Sequence, residues 1–231
     1  MKKTILFTLL CMFMAMPLSA QTRYGYRDYR SQPRVQTVGR HGNELIAWHR
    51  YYFGLRVGMN VSHVSSDNPA LDGSGLKAGL NLGFAAGTQL TWKAPLFLES
   101  GIYYTQKGGK SGSGSDKFTY NLNYLEVPIL LKYKHFVGNQ TTIQPYAGGY
   151  LALGTDGDIK DYRNREAYGS FGDQYGDHFN RFDGGLKVGC GVGFNMLYLD
   201  ASYDIGLSNI GQDDFDDTHN GCFTINIGVN F

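Results

Sequence analysis

The stretch that decides the fold of this chain is Tyr124–Tyr133, which reads YLEVPILLKY. In an extended chain, side chains two positions apart point to the same face. One face therefore carries Leu125, Val127, Ile129, Leu131 and Tyr133, and the other carries Glu126, Pro128 and Lys132. This alternation predicts a β-strand with one apolar face and one polar face.

The same alternation occurs eight times between residues 51 and 231, and no amphipathic helical pattern accompanies it. The apolar sets begin at Phe53, Ala78, Leu96, Leu125, Ile143, Phe182, Leu197 and Phe223. Long connections (62–76, 108–119, 154–179 and 208–220) alternate with short ones (91–95, 135–139 and the Asn195 junction). This order predicts an all-β chain, an eight-stranded antiparallel up-and-down barrel with its long loops at one end.

The first 50 residues differ from the rest of the chain. Lys2 and Lys3 precede an apolar run, and Leu18-Ser19-Ala20 follows Pro17, a pattern that predicts a secretory signal peptide over 1–20. Residues 21–50 carry six arginines among interleaved tyrosines without periodicity, which predicts a basic, mobile periplasmic arm. The barrel is expected over 51–231, where no run approaches the ~18 apolar residues that a spanning helix needs.

Charge excludes one class of function. Removal of Lys2 and Lys3 with the leader reduces the 21 basic residues to 19, against 20 acidic residues. A nucleic-acid-binding protein carries a strongly basic surface, so nucleic acid is not expected as a partner.

The composition of the polar face indicates which face meets lipid. That face is dominated by glycine and alanine with single charged residues, whereas a solvated sheet carries larger polar residues. Inside a narrow barrel, small residues leave room for long polar side chains. The apolar face has no charge at its central positions, where Arg or Lys would cost ~2–4 kcal/mol in a bilayer. The pattern predicts a transmembrane barrel, integral to a bacterial outer membrane.

The charged residues on the polar face form the predicted lumen network. Opposite charges are expected to pair there, because an unpaired buried ion costs several kcal/mol. The members are Arg56, Glu99, Lys107, Glu126, Lys132, Asp183, Lys187, Asp200 and Asp204. Pro128 removes a ladder hydrogen bond and predicts a bulge or bend. Cys190 and Cys222 are predicted to lie two strands apart on opposite faces, unpaired.

Further stretches strengthen the membrane interpretation. GIYYTQKGG at 101–109, PYAGGYLALG at 145–154 and LDASYDIGLSNI at 199–210, together with YLEVPILLKY, resemble the PorT-like family of small outer-membrane β-barrel proteins of Bacteroidetes-type bacteria. The resemblance implies an eight-stranded barrel in the outer membrane. One family member is linked to a secretion system for cell-surface proteins, but that role does not transfer on these motifs alone.

The connection 154–179 is the candidate binding surface, because aromatic residues and arginines are enriched at recognition surfaces. Its candidate residues are Tyr162, Arg163, Arg165, Tyr168, Phe171 and Tyr175. Phe231 closes an alternating strand and resembles the signal by which the barrel assembly machinery recognises its clients.

Other motifs have weaker support. Gly108-Gly109-Lys110-Ser111 lacks the earlier glycine of a phosphate-binding loop, since Tyr104 stands there. The acidic stretch Asp213–Asp217 lacks the spacing of a calcium loop and is expected to be solvated. The six histidines show no metal-ligand spacing. Ser170 and His178 are the one hint of a nucleophile and its base.

The sequence thus predicts a non-enzymatic integral outer-membrane protein with a side-chain-filled lumen and both mature termini in the periplasm. It would act through extracellular loops or the arm, in a structural, binding or secretion-associated role. No catalytic residue, cofactor or metal is expected. The expected partners are membrane lipid and lipopolysaccharide, the assembly machinery, and a periplasmic or secretion-system protein. The alternatives are an exported, soluble, lipocalin-like ligand-binding barrel and an enzyme active at the barrel rim.

Overall fold

The computed structural model describes residues 51–66, 75–91, 94–111, 118–137, 140–160, 166–172, 179–211 and 218–231. The predicted signal peptide and arm lie outside these residues. Within the described ranges, no helix has both the length and the apolar character to cross a membrane.

In the part of the chain that the structure describes, eleven strands form one antiparallel sheet. In chain order they are β1 (Tyr51–Ser66), β2 (Lys77–Gln89), β3 (Leu96–Ser111), β4 (Phe118–Tyr133), β5 (His135–Val137), β6 (Thr141–Asp156), β7 (Asp158–Lys160), β8 (Tyr168–Gly169), β9 (Phe182–Phe194), β10 (Leu197–Gly206) and β11 (Thr218–Asn230). Eight are long, and the short β5, β7 and β8 extend the sheet at its two ends. The prediction of eight spanning strands is confirmed.

The sheet closes on itself because β1, the first strand, pairs with β11, the last, while β4 and β6 also pair and leave no gap between the two halves. The β1–β11 register runs without a shift from Gly54↔Asn230 to Ser66↔Thr218. Just outside that ladder, Phe53 and Phe231 exchange two backbone hydrogen bonds, at 3.2 and 2.8 Å. Closure satisfies the backbone donors and acceptors that an open edge would expose to hydrocarbon.

The two faces of the barrel are chemically opposite. Apolar side chains project outward on every spanning strand, and Leu82, Ile129 and Ile227 are each more than half exposed. Within the apolar band, charged side chains such as Glu99, Glu126 and Lys132 point inward and are buried. A soluble lipocalin-like barrel keeps apolar residues inside and polar residues outside. The soluble alternative is therefore wrong.

Four strands continue past the apolar band at the end that carries the long loops, here called the long-loop end. The connections there are consequently shorter than predicted: 67–76 replaces 62–76, and 112–117 replaces 108–119. The reason is visible on β4, where Asn121 and Asn123 point outward but their backbones still pair with β3. Hydrophobic alternation reports only the part of a strand that is flanked by lipid.

The opposite end, here called the short-turn end, has tight connections as predicted. The β9–β10 turn consists of residues 195 and 196, and Asn195 adopts a positive φ of 53°. Asparagine tolerates this left-handed conformation, which two-residue hairpin turns require.

Of the bulge or bend predicted at Pro128, the bulge is wrong: the β3–β4 pairing lapses at Val127 and Pro128 and resumes without a shift. The β3–β4 register is the same on both sides of it, from Ser100↔Ile129 to Tyr103↔Glu126. The Ser100 hydroxyl, on the outer face, donates a hydrogen bond to the Pro128 carbonyl at 2.8 Å. The register shift on β4 occurs instead between Asn123 and Tyr124, opposite β6.

Candidate functional site: the lumen and its lid

The basal cluster fills the lumen near the short-turn end. The Lys132 ammonium lies 2.7 Å from Glu99 Oε2 and donates to the Tyr198 hydroxyl at 2.9 Å. The Tyr52 hydroxyl donates a second hydrogen bond to Glu99. All four side chains are buried, so each polar group depends on the others for its partners.

Two further charges complete the basal cluster without a direct ion pair among the described residues. Arg56 lies 4.1 Å above the Tyr198 ring and donates to Asn230 Oδ1 at 2.6 Å. Asp200 accepts a hydrogen bond from the Tyr146 hydroxyl. The buried charges of Arg56 and Asp200 are therefore stabilised by cation–π and hydroxyl contacts rather than by the predicted ion pairs.

The central cluster lies farther toward the long-loop end. The Lys107 ammonium is 3.2 Å from Glu126, 3.4 Å from Asp204 and 3.6 Å from Asp183. Lys187 contacts Glu126 and Asp204, each at 2.8 Å. The cluster thus joins two ammonium groups to three carboxylates in one connected network.

Neighbouring polar groups support the central cluster. Asn220 donates to Asp183 at 2.9 Å, and the Lys107 ammonium lies 4.4 Å from the centre of the Tyr150 ring. Lys107 and Asp183 are fully buried. Because loss of one partner leaves a buried charge uncompensated, every member of the cluster depends on the rest.

Inward-facing glycines create the room for these side chains. A Cβ at Gly189 would lie 2.5 Å from the Tyr146 ring, and a Cβ at Gly191 would lie 2.5 Å from the Tyr198 ring. Atoms that close must move apart. Gly189 and Gly191 on β9 therefore admit the tyrosines that contact Asp200 and Lys132.

The capping cluster, at the long-loop end of the lumen, is apolar and was not predicted. Tyr120, Leu122 and Tyr124 of β4 are fully buried and pack with residues from two connections, β6–β9 and β10–β11. The partners are Ile159, Tyr168, Phe179 and Ile210. The signal was present in the sequence, because Tyr120, Leu122 and Tyr124 continue the alternation on the same face as Glu126.

The connection between β6 and β9 forms a lid over the lumen. Its described parts are 157–160, 166–172 and 179–181. The lid packs ring against ring: the ring centres of Tyr120 and Phe179 are 5.3 Å apart, and those of Tyr124 and Phe171 are 5.7 Å apart.

Hydrogen bonds fasten the lid to the barrel wall. The Ser170 hydroxyl donates to the Asn121 carbonyl of β4 at 2.7 Å. Within the lid, the Phe179 amide donates to the Ser170 carbonyl at 2.8 Å. Outside the spanning strands, burial opposes ionisation of Asp158, but hydrogen bonds from Lys160 and Asn121 outweigh it and lower its pKa.

The lid changes the interpretation of the predicted loop surface. Tyr168 is buried in the capping cluster and Phe171 is half-buried against it, so these rings pack inward rather than facing a partner. Tyr162, Arg163, Arg165 and Tyr175 lie outside the described residues. Ser170 is fully buried, and His178 lies outside the described residues.

Lys134, which sequence reasoning missed, closes the short-turn end. It lies in the turn after β4, with its ammonium 3.7 Å from the centre of the Tyr52 ring and 4.1 Å from that of Phe97. Burial, with a smaller contribution from Lys132, lowers the pKa of Lys134 to about 7. The alternation of polar and apolar residues ends at Tyr133, so it does not indicate which way the Lys134 side chain points.

The remaining predicted sites lie apart from the lumen clusters or outside the described residues. Phe231 projects outward at the β1–β11 seam. Cys190 is exposed, Cys222 is buried, and both are unpaired. Within the described residues, no group of three or more His, Cys, Asp or Glu side chains is arranged to hold a metal ion. The acidic stretch 213–217 is not among those residues.

The fold and the two faces agree with a comparison against known families. The family described as outer membrane protein beta-barrel domain matches residues 20–212. This chain belongs to that family. It is accordingly an integral protein of the outer membrane, and its apolar band faces lipid.

Several solved barrels are similar to this chain. Ail of Yersinia pestis, solved in complex with the heparin analogue sucrose octasulfate, is 16% identical over 79% of this chain and 100% of its own, with a TM-score of 0.43. Neisserial surface protein A is 16% identical over 78% of this chain and 97% of its own, with a TM-score of 0.48. At these scores the likeness does not extend to function. No curated protein matches the chain.

Proposed function

We propose that this chain is a non-enzymatic, non-conducting outer-membrane barrel that acts through its long loops or its N-terminal arm. The observation that carries the proposal is the filling of the lumen at three levels. The basal cluster, the central cluster and the capping cluster follow one another along the barrel. An eight-stranded barrel has room for its own side chains and little more.

The long loops at one end of the barrel and the short turns at the other support an assignment of each end to one side of the membrane. Residues 1–20 act as a signal peptide, 21–50 as a periplasmic arm, and 51–231 as the barrel. Both mature termini lie in the periplasm with the short turns, and the long loops face the exterior, as in other outer-membrane barrels. Phe231 serves recognition by the assembly machinery.

The partners follow from these surfaces. The lipid-facing band meets outer-membrane lipid and lipopolysaccharide, and the arm binds a periplasmic protein. The arm and its periplasmic partner act together in a structural, binding or secretion-associated role.

Catalysis at the rim has little support. The Ser170 hydroxyl is fully buried and donates its proton to the Asn121 carbonyl, so it is not placed to attack a substrate. The candidate base His178 lies outside the described residues.

The proposal is tested by conductance in planar lipid bilayers. Purified full-length protein is expected to give no discrete channel events, because the three clusters block the lumen. A large porin inserted under the same conditions is the positive control. Reproducible unitary currents from folded wild-type protein would overturn the non-conducting role.

A further inference from the structure

The central cluster holds more negative than positive charge. Its two ammonium groups, Lys107 and Lys187, face three carboxylates, those of Glu126, Asp183 and Asp204. With all five groups ionised, the cluster has a net charge of −1. All five side chains are buried except that of Lys187, which is 12% exposed. Because an unbalanced buried charge is costly, one additional positive charge would stabilise the cluster.

The neighbouring cations do not supply that charge. The basal cluster contains two cations and two carboxylates, so it is balanced by itself, and Lys134 lies beyond it at the short-turn end. Toward the long-loop end, the Lys77 ammonium donates to the Lys107 carbonyl at 2.9 Å and interacts with Asp158. Among the described residues, neither Lys77 nor Lys134 forms an ion pair with a carboxylate of the central cluster.

One oxygen of the Asp183 carboxylate is poorly bonded. Asp183 Oδ2 accepts a hydrogen bond from the Asn220 amide at 2.9 Å and lies 3.6 Å from the Lys107 ammonium. Within the described ranges, the polar partner of Asp183 Oδ1 is the Tyr150 hydroxyl at 3.5 Å, which is long for a hydrogen bond between two oxygens. A fully buried carboxylate oxygen is expected to have a closer partner.

Two more oxygens beside Asp183 have no hydrogen-bond partner among the described residues. They are Asn220 Oδ1 and the Tyr124 hydroxyl. Asn220 is 2% exposed and Tyr124 is fully buried. Asn220 Oδ1 belongs to the amide group that binds Asp183, and the Tyr124 side chain interacts electrostatically with both Asn220 and Asp183. Buried polar atoms that lack a partner within the chain are expected to bind an ion or an ordered water molecule.

The spacing of these oxygens fits a shared cation better than direct hydrogen bonds. The Tyr150 hydroxyl lies 3.5 Å from each of the two carboxylate oxygens of Asp183. Oxygens that bind one hard cation at about 2.4 Å in octahedral geometry lie about 3.4 Å from one another. The four side chains come from four different strands, β4, β6, β9 and β11, which converge on this level of the lumen.

We propose that the lumen encloses one monovalent cation of the size of sodium, bound by Asp183 Oδ1, Asn220 Oδ1 and the hydroxyls of Tyr124 and Tyr150. The site lies where the central cluster meets the capping cluster, since both tyrosines pack in the latter. A single positive charge makes the central cluster neutral, whereas a divalent cation would leave it positive. One carboxylate among neutral oxygens is also a sparse donor set for a divalent metal.

The test is urea unfolding of the full-length protein in phosphatidylcholine vesicles, followed by heat-modifiable gel mobility. Sodium chloride is replaced stepwise by N-methylglucamine chloride, whose cation is too large for the site, at constant ionic strength. A parallel series adds calcium chloride. Tyr124→Phe and Asp183→Asn each remove one proposed ligand. The matched control, Tyr104→Phe, removes the same hydroxyl from the outward face of β3, where Tyr104 pairs with the exposed Leu125.

For the wild-type protein, the equilibrium constant of unfolding should fall as the sodium concentration rises. Once sodium is well above the dissociation constant of the site, the fall should be about tenfold for each tenfold increase in sodium, because one ion binds the folded chain and not the unfolded chain. Tyr124→Phe should need severalfold more sodium for the same effect. Asp183→Asn should lose the sodium dependence, because its central cluster is already neutral, and Tyr104→Phe should respond as the wild type does.

Three results would overturn the proposal. Equal unfolding constants in sodium and in N-methylglucamine would show that water or a proton, and not a metal cation, completes the cluster. A response to micromolar calcium in place of the sodium response would assign the site to a divalent cation. An equal sodium response in Asp183→Asn and wild type would place the ion elsewhere. The proposed ion is enclosed and not conducted, so the non-conducting role is tested separately.

Discussion

At the scale of the residue, Lys107 is the side chain on which the interior most depends. Its ammonium lies within 3.6 Å of three carboxylates, and the residue is fully buried. Lys107→Met keeps the length of the side chain but leaves Glu126, Asp183 and Asp204 with one cation, Lys187. Removal of one partner from a buried ionic group costs about 3–5 kcal/mol, and the free energy of unfolding should fall by that order.

Urea unfolding in lipid vesicles, followed by heat-modifiable mobility, measures the effect of Lys107→Met. The matched control adds Asp183→Asn, which removes the carboxylate that pairs with Lys107 but not with Lys187 among the described residues, and it should restore part of the loss. An unchanged unfolding midpoint in the single variant would show that the central cluster does not stabilise the barrel.

Lys134 predicts a dependence of stability on pH. Its pKa is about 7 in the folded protein, and the usual value is 10.5. Between these values the unfolded chain binds more protons than the folded chain, so the free energy of unfolding rises with pH. The rise attributable to Lys134 from pH 7 to pH 9 is about 2 kcal/mol. Comparison of Lys134→Met with wild type isolates this contribution. The free energy of unfolding of the variant should rise less between pH 7 and pH 9 than that of the wild type, by about 2 kcal/mol.

Sequence reasoning reached the charged residues of the lumen but not their arrangement. Alternation places Glu126 and Lys132 on one face of β4, and the structure puts both inside. It does not say that they belong to different clusters, because that depends on which side chains neighbouring strands bring to the same height. Arg56 and Asp200 illustrate the same limit, since their partners are tyrosines and an asparagine on other strands.

At the scale of the element, the lid is held mainly by buried rings. Phe179 is almost fully buried and stacks on Tyr120. Phe179→Ala removes one ring of the capping cluster, and loss of a buried Phe costs about 3–5 kcal/mol. We expect this loss to loosen the lid while the barrel stays closed, because the strand ladders do not involve the ring.

Limited trypsin digestion of reconstituted protein tests the lid. Cleavage after Arg181, whose guanidinium is bound to Gly154 and Phe171, should accelerate in Phe179→Ala, while the barrel remains heat-modifiable. Asp156→Ala, at an exposed position at the end of β6, leaves the tryptic sites unchanged, and this control should digest as the wild type does. Equal cleavage rates in all three proteins would show that the ring does not fasten the lid.

The eight long strands were predictable because lipid imposes the alternation that reveals them. The extensions of β1, β3, β4 and β6 beyond the band were not, since polar outward residues such as Asn121 resemble a loop. The short β7 and β8 were hidden for another reason. They are ordered by packing on the capping cluster and carry no period of their own.

At the scale of the whole molecule, the position of the apolar band predicts where charge is tolerated. Ile227 lies at the middle of the outward row on β11, whereas Ser65 points outward near the long-loop end of β1. Ile227→Arg should lower the free energy of unfolding by about 2–4 kcal/mol, and Ser65→Arg by about 0–1 kcal/mol. Equal costs in vesicle unfolding would contradict the placement of the band.

The seam between β1 and β11 affects how the chain folds and inserts into the membrane. Arg56 donates a hydrogen bond to the Val229 carbonyl, 173 positions farther along. Strand pairing this remote in sequence is slow to form. The barrel can therefore close only after the last strand has been exported, and until then the apolar strands remain unpaired. We therefore expect the apolar strands to be prone to aggregation until the barrel closes in the membrane.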